Sequence, residues 1–182
     1  MADDLTWRLG ARHPGHDYRV FKTSFIDATN PRSGALRRFS LIESVDWVNV
    51  IALTTDRRVV LVRQYRAGSN SVCLEIPGGM IDPGEDPLTG GRRELLEETG
   101  YSGGTWDIIG DISPNPAIQT NRLYTVYGEG VEKTHDLALD DGEHIEVSTA
   151  SLDEIRAKLV AGEIEHALVV AAFGHLAFRG AF

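Results

Sequence analysis

Residues 79–101 decide the fold, and they read GMIDPGEDPLTGGRRELLEETGY. Asp86-Pro87 is a strong helix start, because Asp accepts hydrogen bonds from free backbone N–H groups and Pro fits the first turn. Gly100 is a strong stop, because glycine adopts the left-handed conformation beyond a helix end at no steric cost. The stretch therefore predicts a helix from Pro87 to Thr99.

The predicted helix carries three carboxylates on one flank. At about 100° per residue, Glu94, Glu97 and Glu98 project within about 100° of one another. Like charges at this spacing destabilise an isolated helix, and here they face the negative end of the helix dipole. Mg²⁺ would resolve the conflict, because it takes carboxylate oxygens and retains waters for a phosphate substrate. Arg93 can pair with Glu97, and the alternative is a solvated acidic face.

Two adjacent glycines lie inside the predicted helix, where each costs about 1 kcal/mol relative to alanine. Gly91 falls with Leu88 and Leu95 on a stripe that can face a core. Gly90 lies one turn before Glu94, where a larger side chain would crowd the acidic flank. The two glycines therefore indicate a packing or functional requirement.

The stretch resembles the Nudix box, whose pattern is Gly, five residues, Glu, seven residues, Arg-Glu-aliphatic, one residue, Glu-Glu, one residue and Gly-aliphatic. The only departure is Tyr101, at a final position that packs rather than reacts. The chain is thus identified as a member of the Nudix hydrolase superfamily. That resemblance implies a mixed α/β fold, an α/β/α sandwich with a central mixed β-sheet and the box as a loop–helix unit. The matching residues are Gly79, Glu85, Arg93, Glu94, Leu95, Glu97, Glu98 and Gly100.

The resemblance also implies roles for the charged box residues, in which Glu85 organises the loop or an outer metal and the remaining ones serve metal binding and catalysis. The implied metal ligands are the carbonyl of Gly78 and the carboxylates of Glu94, Glu97 and Glu98. The implied catalytic residues are Arg93, Glu97, Glu98 and, from a later loop, Glu143.

The later loop is acidic and reads HDLALDDGEH over residues 135–144. A charge run is usually a solvated loop. In the branch that this chain resembles, however, the loop supplies a carboxylate to the metal cluster or as general base. Glu143 is the first candidate for that carboxylate and Asp141 the second.

Two segments before the box resemble the branch that hydrolyses ADP-ribose and other nucleoside diphosphate sugars. They are RQYR at residues 63–66 and the EIPGG segment at residues 75–79. Arg66 could meet a substrate phosphate by a charge-assisted contact, and Glu75 is a further substrate-binding candidate. Ordinary surface charge remains an equal alternative for Arg63 and Arg66.

A proline-rich loop follows the box at about the place where that branch carries Ser-Pro. Ser113-Pro114 fits the branch, but the residues after it depart from the glycine-rich continuation typical of plain ADP-ribose hydrolases. A different sugar or phosphate could be recognised by Asn115, Asn121 and Arg122. Ser113 is a further substrate-binding candidate. The alternative is a surface loop capped by Asn side chains. A base could also stack on Trp47 or Tyr18, although a Trp in an apolar strand is more often core.

Apolar patterning predicts about eight strands and three helices. The run Val45–Leu53 is nearly continuous, which indicates a central strand covered on both faces, and Val59–Val62 would follow it through a turn at 54–58. The other predicted strands are Tyr18–Phe21, Phe25–Ile26, Arg37–Ile42, the segment at 72–76, Trp106–Ile112, Leu123–Tyr127 and Ile145–Val147. The other predicted helices are Ser151–Ala161, which opens with a capping box, and Glu165–Arg179.

The length of 182 residues suggests one domain, in which residues 1–43 form an N-terminal β region and 44–182 the core. The branch implies that the N-terminal region supports a homodimer. A net charge of −9 argues against binding to a nucleic acid polymer. No signal segment or membrane-spanning run is present, and the single Cys73 fits a buried hydrophobe, so the sequence favours a cytoplasmic protein that does not bind membranes.

The resemblance implies hydrolysis of the pyrophosphate bond of a nucleoside diphosphate sugar, giving a nucleoside monophosphate and a sugar phosphate. Mg²⁺ is the expected cofactor, with Mn²⁺ as a possible substitute. One alternative is a related hydrolase of dinucleoside polyphosphates, coenzyme A or oxidised nucleotides. Another is a module that binds a nucleotide sugar without cleaving it. The RQYR, EIPGG and Ser-Pro features weigh against the first, and the complete set of box carboxylates weighs against the second.

Overall fold

The computed structural model describes residues 5–139 and 144–180. The chain divides into two compact units. The first takes the residues up to Val45 together with Ser113–Arg122, and the second takes Asp46–Ile112 together with the chain from Leu123 onward.

The first unit is built on a three-stranded antiparallel sheet with the order β1-β2-β3. Segment 113–122 is irregular, as predicted, and extends this sheet through a parallel bridge between Ile42 and Gln119. The backbone N–H of Ile42 donates to the carbonyl of Ile118 at 2.7 Å. The strands are β1 (Arg8–Asp17), β2 (Lys22–Thr29) and β3 (Leu36–Glu43).

The predicted strand at Tyr18–Phe21 is wrong, because these residues form the turn between β1 and β2. Arg19 has a positive φ of 74°, and its backbone N–H donates to the Asp17 side chain at 2.9 Å. The rings of Tyr18 and Phe21 stack with their centroids 5.0 Å apart. The apolar residues that suggested a strand thus pack on each other across a turn. The predictions at Phe25–Ile26 and Arg37–Ile42 are confirmed within β2 and β3.

The second unit contains an eight-stranded mixed sheet with the order β11-β5-β4-β10-β8, in which β6 pairs with β5, β7 with β4 and β9 with β10. β4 and β10 are parallel, and the other pairs are antiparallel. Strands β7 and β8 have only three and two residues, which is too short to leave a pattern in the sequence. The strands are β4 (Trp47–Thr54), β5 (Arg58–Arg66), β6 (Ser71–Glu75), β7 (Gly78–Met80), β8 (Tyr101–Ser102), β9 (Thr105–Ile112), β10 (Leu123–Lys133) and β11 (Ile145–Ser151).

Helices cover both faces of this sheet. Successive residues of a strand point to opposite faces. Val50 of β4 therefore packs in a cluster with Leu95, whereas the adjacent Ile51 packs in a cluster with Ile155 and Phe173. This arrangement confirms the α/β/α sandwich and the central, doubly covered β4. The helices are α1 (Pro87–Thr99), α2 (Leu152–Ala161) and α3 (Ala167–Phe178).

The predicted helix ends are confirmed for α1 and α2. The Asp86 side chain accepts from the backbone N–H groups of Leu88 and Thr89 at 3.0 and 3.3 Å, and Gly100 closes α1 with a φ of 74°. Ser151 forms the expected capping box with Glu154 at the start of α2. No helix in the described ranges is long and apolar enough to span a membrane.

Gly91 lies where α1 packs closely against the sheet. A Cβ atom there would lie 3.1 Å from Val126 and 3.2 Å from Val48. Gly90 is crowded by Glu85, 3.0 Å from its would-be Cβ, rather than by Glu94 as the sequence suggested. The two glycines of α1 thus serve packing.

We expect Gly91→Leu to lower the free energy of unfolding by about 1–3 kcal/mol, because the added side chain forces α1 away from the sheet. Gly174 of α3 is the matched control, since a Cβ there meets no atom within 4 Å. Gly174→Ala should raise stability by up to about 1 kcal/mol through helix propensity alone. Urea denaturation measures both changes, and equal effects of the two substitutions would contradict the packing explanation.

Candidate active site

Arg93 lies among three carboxylates of the box. Its Nε and Nη2 donate to Glu85 at 3.1 and 3.0 Å, and its Nη1 donates to Glu94 at 2.9 Å and to Glu97 at 3.1 Å. The predicted Arg93–Glu97 pair is confirmed. The bonds to Glu85, followed by the charges and bonds of the other two carboxylates, hold the pKa of Arg93 above its usual value. One guanidinium therefore offsets the repulsion along this flank of α1.

The loop before α1 is organised by the same residues. Arg93 Nη2 also donates to the carbonyl of Met80 at 3.0 Å. The Glu85 carboxylate accepts from the backbone N–H of Asp82 at 3.0 Å. Glu85 thus joins the loop to the helix through Arg93, as the sequence predicted for a loop-organising residue.

Glu94 and Glu98 lie against the backbone of β7. The Glu98 carboxylate is 5% exposed and accepts from the N–H of Gly78 at 3.0 Å. A Cβ atom on Gly79 would lie 2.5 Å from the Glu94 carboxylate, so a larger residue there would displace that carboxylate. Two box carboxylates therefore converge on the Gly78-Gly79 segment.

This donor set fits a hard divalent cation. Carboxylate and backbone carbonyl oxygens are the ligands that Mg²⁺ and Mn²⁺ accept. In the described ranges, no group of three His, Cys, Asp or Glu side chains has the geometry of a metal site. The physical reason is visible in the bonds: Arg93 engages Glu94 and Glu97, and the backbone of Gly78 engages Glu98.

Arg66 and Glu75 form a bidentate pair beside these residues. Arg66 Nε and Nη2 donate to the two Glu75 oxygens at 2.9 and 2.6 Å, and the Glu75 side chain is only 3% exposed. The bond to Glu75 raises the pKa of Arg66, and the charge of Glu98 adds to this rise. These two bonds fix the orientation of the guanidinium and do not involve its Nη1 atom. Arg63 instead pairs with Glu146 at the surface, 2.9 Å away.

A cavity of about 650 Å³ opens beside the box within the second unit. Arg66, Glu75, Gly78 and Gly79 line it, so the cavity contains both the fixed guanidinium and the segment that receives the box carboxylates. Trp47 also lines it, whereas Tyr18 lies in the surface turn of the first unit. Of the two stacking candidates, Trp47 is the one that borders this cavity.

Sequence reasoning missed other residues that line this cavity, namely Asn49, Glu165 and His166. Asn49 leaves a signal in the sequence, because it is a polar residue inside the apolar run of β4. Cys73, predicted to be a small buried hydrophobe, is 6% exposed and also borders the cavity.

The proline-loop candidates lie in the first unit. Arg122 Nη1 donates to the Ser113 hydroxyl at 2.7 Å, so these two residues are brought together. The backbone carbonyl of Asn115 accepts from Ile118 and Gln119, closing a turn. Asn121 is 3% exposed, and neither atom of its amide group has a hydrogen-bond partner within the described part of the chain. Burying an amide without a hydrogen-bond partner costs free energy, so the Asn121 amide is suited to bind a water or a ligand.

The loop carboxylates Asp141 and Glu143 lie outside the described residues. The described start of their loop is attached to the C-terminal end of α1. The backbone N–H of Ala138 donates to the carbonyl of Glu97 at 2.9 Å, and that of His135 donates to Gly100 at 3.1 Å. The loop therefore departs from the end of α1 that carries Glu97.

A family model, sequence relatives and a solved structure match this chain. The NUDIX domain model matches residues 45–173. The methanol dehydrogenase activator of Bacillus methanolicus is 31% identical over 75% of this chain and 74% of its own. The ADP-sugar pyrophosphatase of Mus musculus is 30% identical over 82% of this chain and 74% of its own. A crystal structure of an ADP compounds hydrolase shares the fold with a TM-score of 0.82 at 20% identity, covering 97% of both chains.

The Glu85–Arg93 pair should make stability depend on pH. Hydrogen bonds from Arg93 and Asp82 hold the pKa of Glu85 below its usual value of 4.5. Its contribution is therefore present above about pH 4.5 and is lost as the pH falls through the lower pKa of the folded state. We expect Glu85→Gln to lower the free energy of unfolding at pH 7. The variant should also lose less free energy of unfolding than the parent when the pH falls from 7 to 3.5.

Urea denaturation at the two pH values measures this effect. Glu132→Gln, which removes an exposed carboxylate from β10, is the control and should leave the pH dependence nearly unchanged. A Glu85→Gln protein as acid-sensitive as the parent would contradict the role assigned to this pair.

Proposed function

Because the chain belongs to the NUDIX domain family, we propose that it hydrolyses the pyrophosphate bond of nucleoside diphosphate sugars, ADP-ribose or a related compound. The products are a nucleoside monophosphate and a sugar phosphate. The ADP-sugar pyrophosphatase of Mus musculus supports this substrate class. The observation that carries the proposal is the buried Glu98 carboxylate, which is bonded to the backbone of Gly78, a residue that lines the same cavity as Arg66.

The proposed cofactor is Mg²⁺, with Mn²⁺ as a substitute. Its proposed ligands are the carboxylates of Glu94, Glu97 and Glu98 and the carbonyl of Gly78. When bound, the cation offsets negative charge on the diphosphate and lowers the pKa of water. Release of Glu94 and Glu97 from Arg93 frees their oxygens for this role, and Arg93 then retains its two bonds to Glu85.

The chain's own residues bind and orient the diphosphate. Arg66, held by Glu75, offers Nη1 to a phosphate oxygen in a charge-assisted hydrogen bond. The proton of the attacking water passes to Glu143 or Asp141, whose loop leaves the C-terminal end of α1. We assign Ser113, Asn115, Asn121 and Arg122 to substrate binding, and the buried, unpartnered amide of Asn121 supports its inclusion.

The proposal extends to the state of the protein in the cell. We propose a cytoplasmic homodimer formed through the N-terminal β region, acting on a small molecule and on no nucleic acid polymer. Exposed apolar residues of the first unit support that interface, among them Leu9 at 70% and Leu36 at 69% exposure. The net charge of −9 supports the exclusion of nucleic acid, because a polyanion would be repelled.

Glu98→Gln is the substitution that tests the proposed metal site. The amide keeps an oxygen for the Gly78 N–H and loses the charge, so folding should be preserved while turnover falls by about 100-fold or more. Product release from ADP-ribose with Mg²⁺ measures the effect, and circular dichroism checks the fold. Glu132→Gln serves as the control. Near-parental activity of Glu98→Gln would overturn the assignment of this carboxylate.

A substrate panel tests the class of reaction. It contains ADP-ribose, ADP-glucose, GDP-mannose, UDP-glucose, diadenosine polyphosphates and coenzyme A, each with and without Mg²⁺. Metal-dependent cleavage of the diphosphate sugars is the expected result. Cleavage confined to the polyphosphates or coenzyme A would favour the related hydrolases, and binding of a nucleotide sugar without any cleavage would favour a binding module.

A further inference from the structure

The start of α3 forms a wall of the cavity and is held in place by the central strand. Asn49 Nδ2 donates to the backbone carbonyl of Leu168, in the first turn of α3, at 3.0 Å. Glu165 and His166, which immediately precede α3, line the cavity beside Asn49. The bond to Leu168 attaches the backbone just after Glu165 and His166 to the central strand, at a cavity that Arg66 also lines.

This wall carries hydrogen-bonding groups that the described part of the chain leaves unused. Asn49 is 7% exposed, and its bond to Leu168 fixes the amide so that Oδ1 remains an acceptor without a partner. His166 Nδ1 is likewise buried and unpartnered. Glu165 is exposed in the chain segment before α3 and forms no ion pair or side-chain hydrogen bond with residues 5–139 or 144–180, so only Asn49 and His166 contribute buried unpaired atoms. Buried polar groups are normally paired, so this wall is suited to a ligand that brings its own donors.

Charge determines which part of a nucleotide sugar this wall can accept. The Glu165 carboxylate repels phosphate, and the diphosphate is attracted instead to Arg66. Glu165 and Asn49 Oδ1 are both acceptors, so the ring nitrogens of a base that carry lone pairs gain no hydrogen bond from them, although the N–H groups of a base can donate. A sugar ring fits better, because its neighbouring hydroxyl groups donate to carboxylate and amide oxygens and can also accept from an imidazole N–H.

We propose that Glu165 and His166 bind sugar hydroxyl groups and set the sugar preference of the cavity, with Asn49 holding the start of α3 in position. The inference rests on the proposed function for the identity of the ligand. The shared chemistry is a hydroxyl-bearing ring, which is either the terminal sugar or the ribose of the nucleoside. The two sources are distinguished by removing a hydroxyl from one ring at a time.

The test is calorimetric binding in the Glu98→Gln background, where turnover is slow. ADP-glucose is compared with analogues that lack the 2-hydroxyl of the glucose or the 2′-hydroxyl of the ribose. Loss of a hydroxyl bonded to a carboxylate should weaken binding about 10-fold or more. Glu165→Ala and His166→Ala should weaken ADP-glucose binding to a similar degree and leave the affinity for the relevant deoxy analogue nearly unchanged.

Glu163→Ala is the matched control, because Glu163 lies two residues earlier in the chain and pairs with Lys158 at 2.7 Å. It should leave all three affinities unchanged. If one deoxy analogue binds the Glu165 and His166 variants as tightly as it binds the parent, then the ring that lacks a hydroxyl in that analogue is the ring these residues contact. Equal affinities for ADP-glucose and both analogues, or variants that weaken all three ligands alike, would overturn the inference. These results would leave the proposed function intact, whereas failure to bind any nucleotide sugar would overturn both.

Discussion

The pairing of Arg93 with Glu85, Glu94 and Glu97 is the interaction on which the site depends. Without it, a row of carboxylates near the C-terminal end of α1 would repel one another and oppose the helix dipole. Arg93 neutralises part of that charge and at the same time attaches the loop before α1 to the helix. The carboxylates are therefore held close together by a single guanidinium.

The close fit between α1 and the sheet explains why so much of the box is glycine. Gly91 lets the helix lie against Val48 and Val126, and Gly79 leaves room for the Glu94 carboxylate. Glycine at each of these positions lowers the helix or strand propensity, but it allows neighbouring groups to approach the backbone closely. As a result, the Glu94 and Glu98 side chains of α1 lie against the backbone of β7.

Local signals predicted the parts of the fold that depend on neighbouring residues. The ends of α1, the capping box of α2 and the hairpin between β4 and β5 follow from capping and turn chemistry, and all three are present. The turn at Tyr18–Phe21 was missed because aromatic residues can pack across a turn as well as along a strand. Asn49 stands out as a polar residue in an apolar run, but its bond to Leu168 could not be predicted, because the two residues lie more than 100 positions apart in sequence.

The amide of Asn49 also bears on how the sheet assembles. Strand β4 is otherwise so uniformly apolar that its side chains could be buried on either face. A shift of β4 by one residue would turn Asn49 away from Leu168 and into the apolar cluster around Leu95. Burying an amide there without a partner costs about 1–3 kcal/mol. A single polar side chain in the central strand thus marks the correct register and disfavours mispaired sheets during folding.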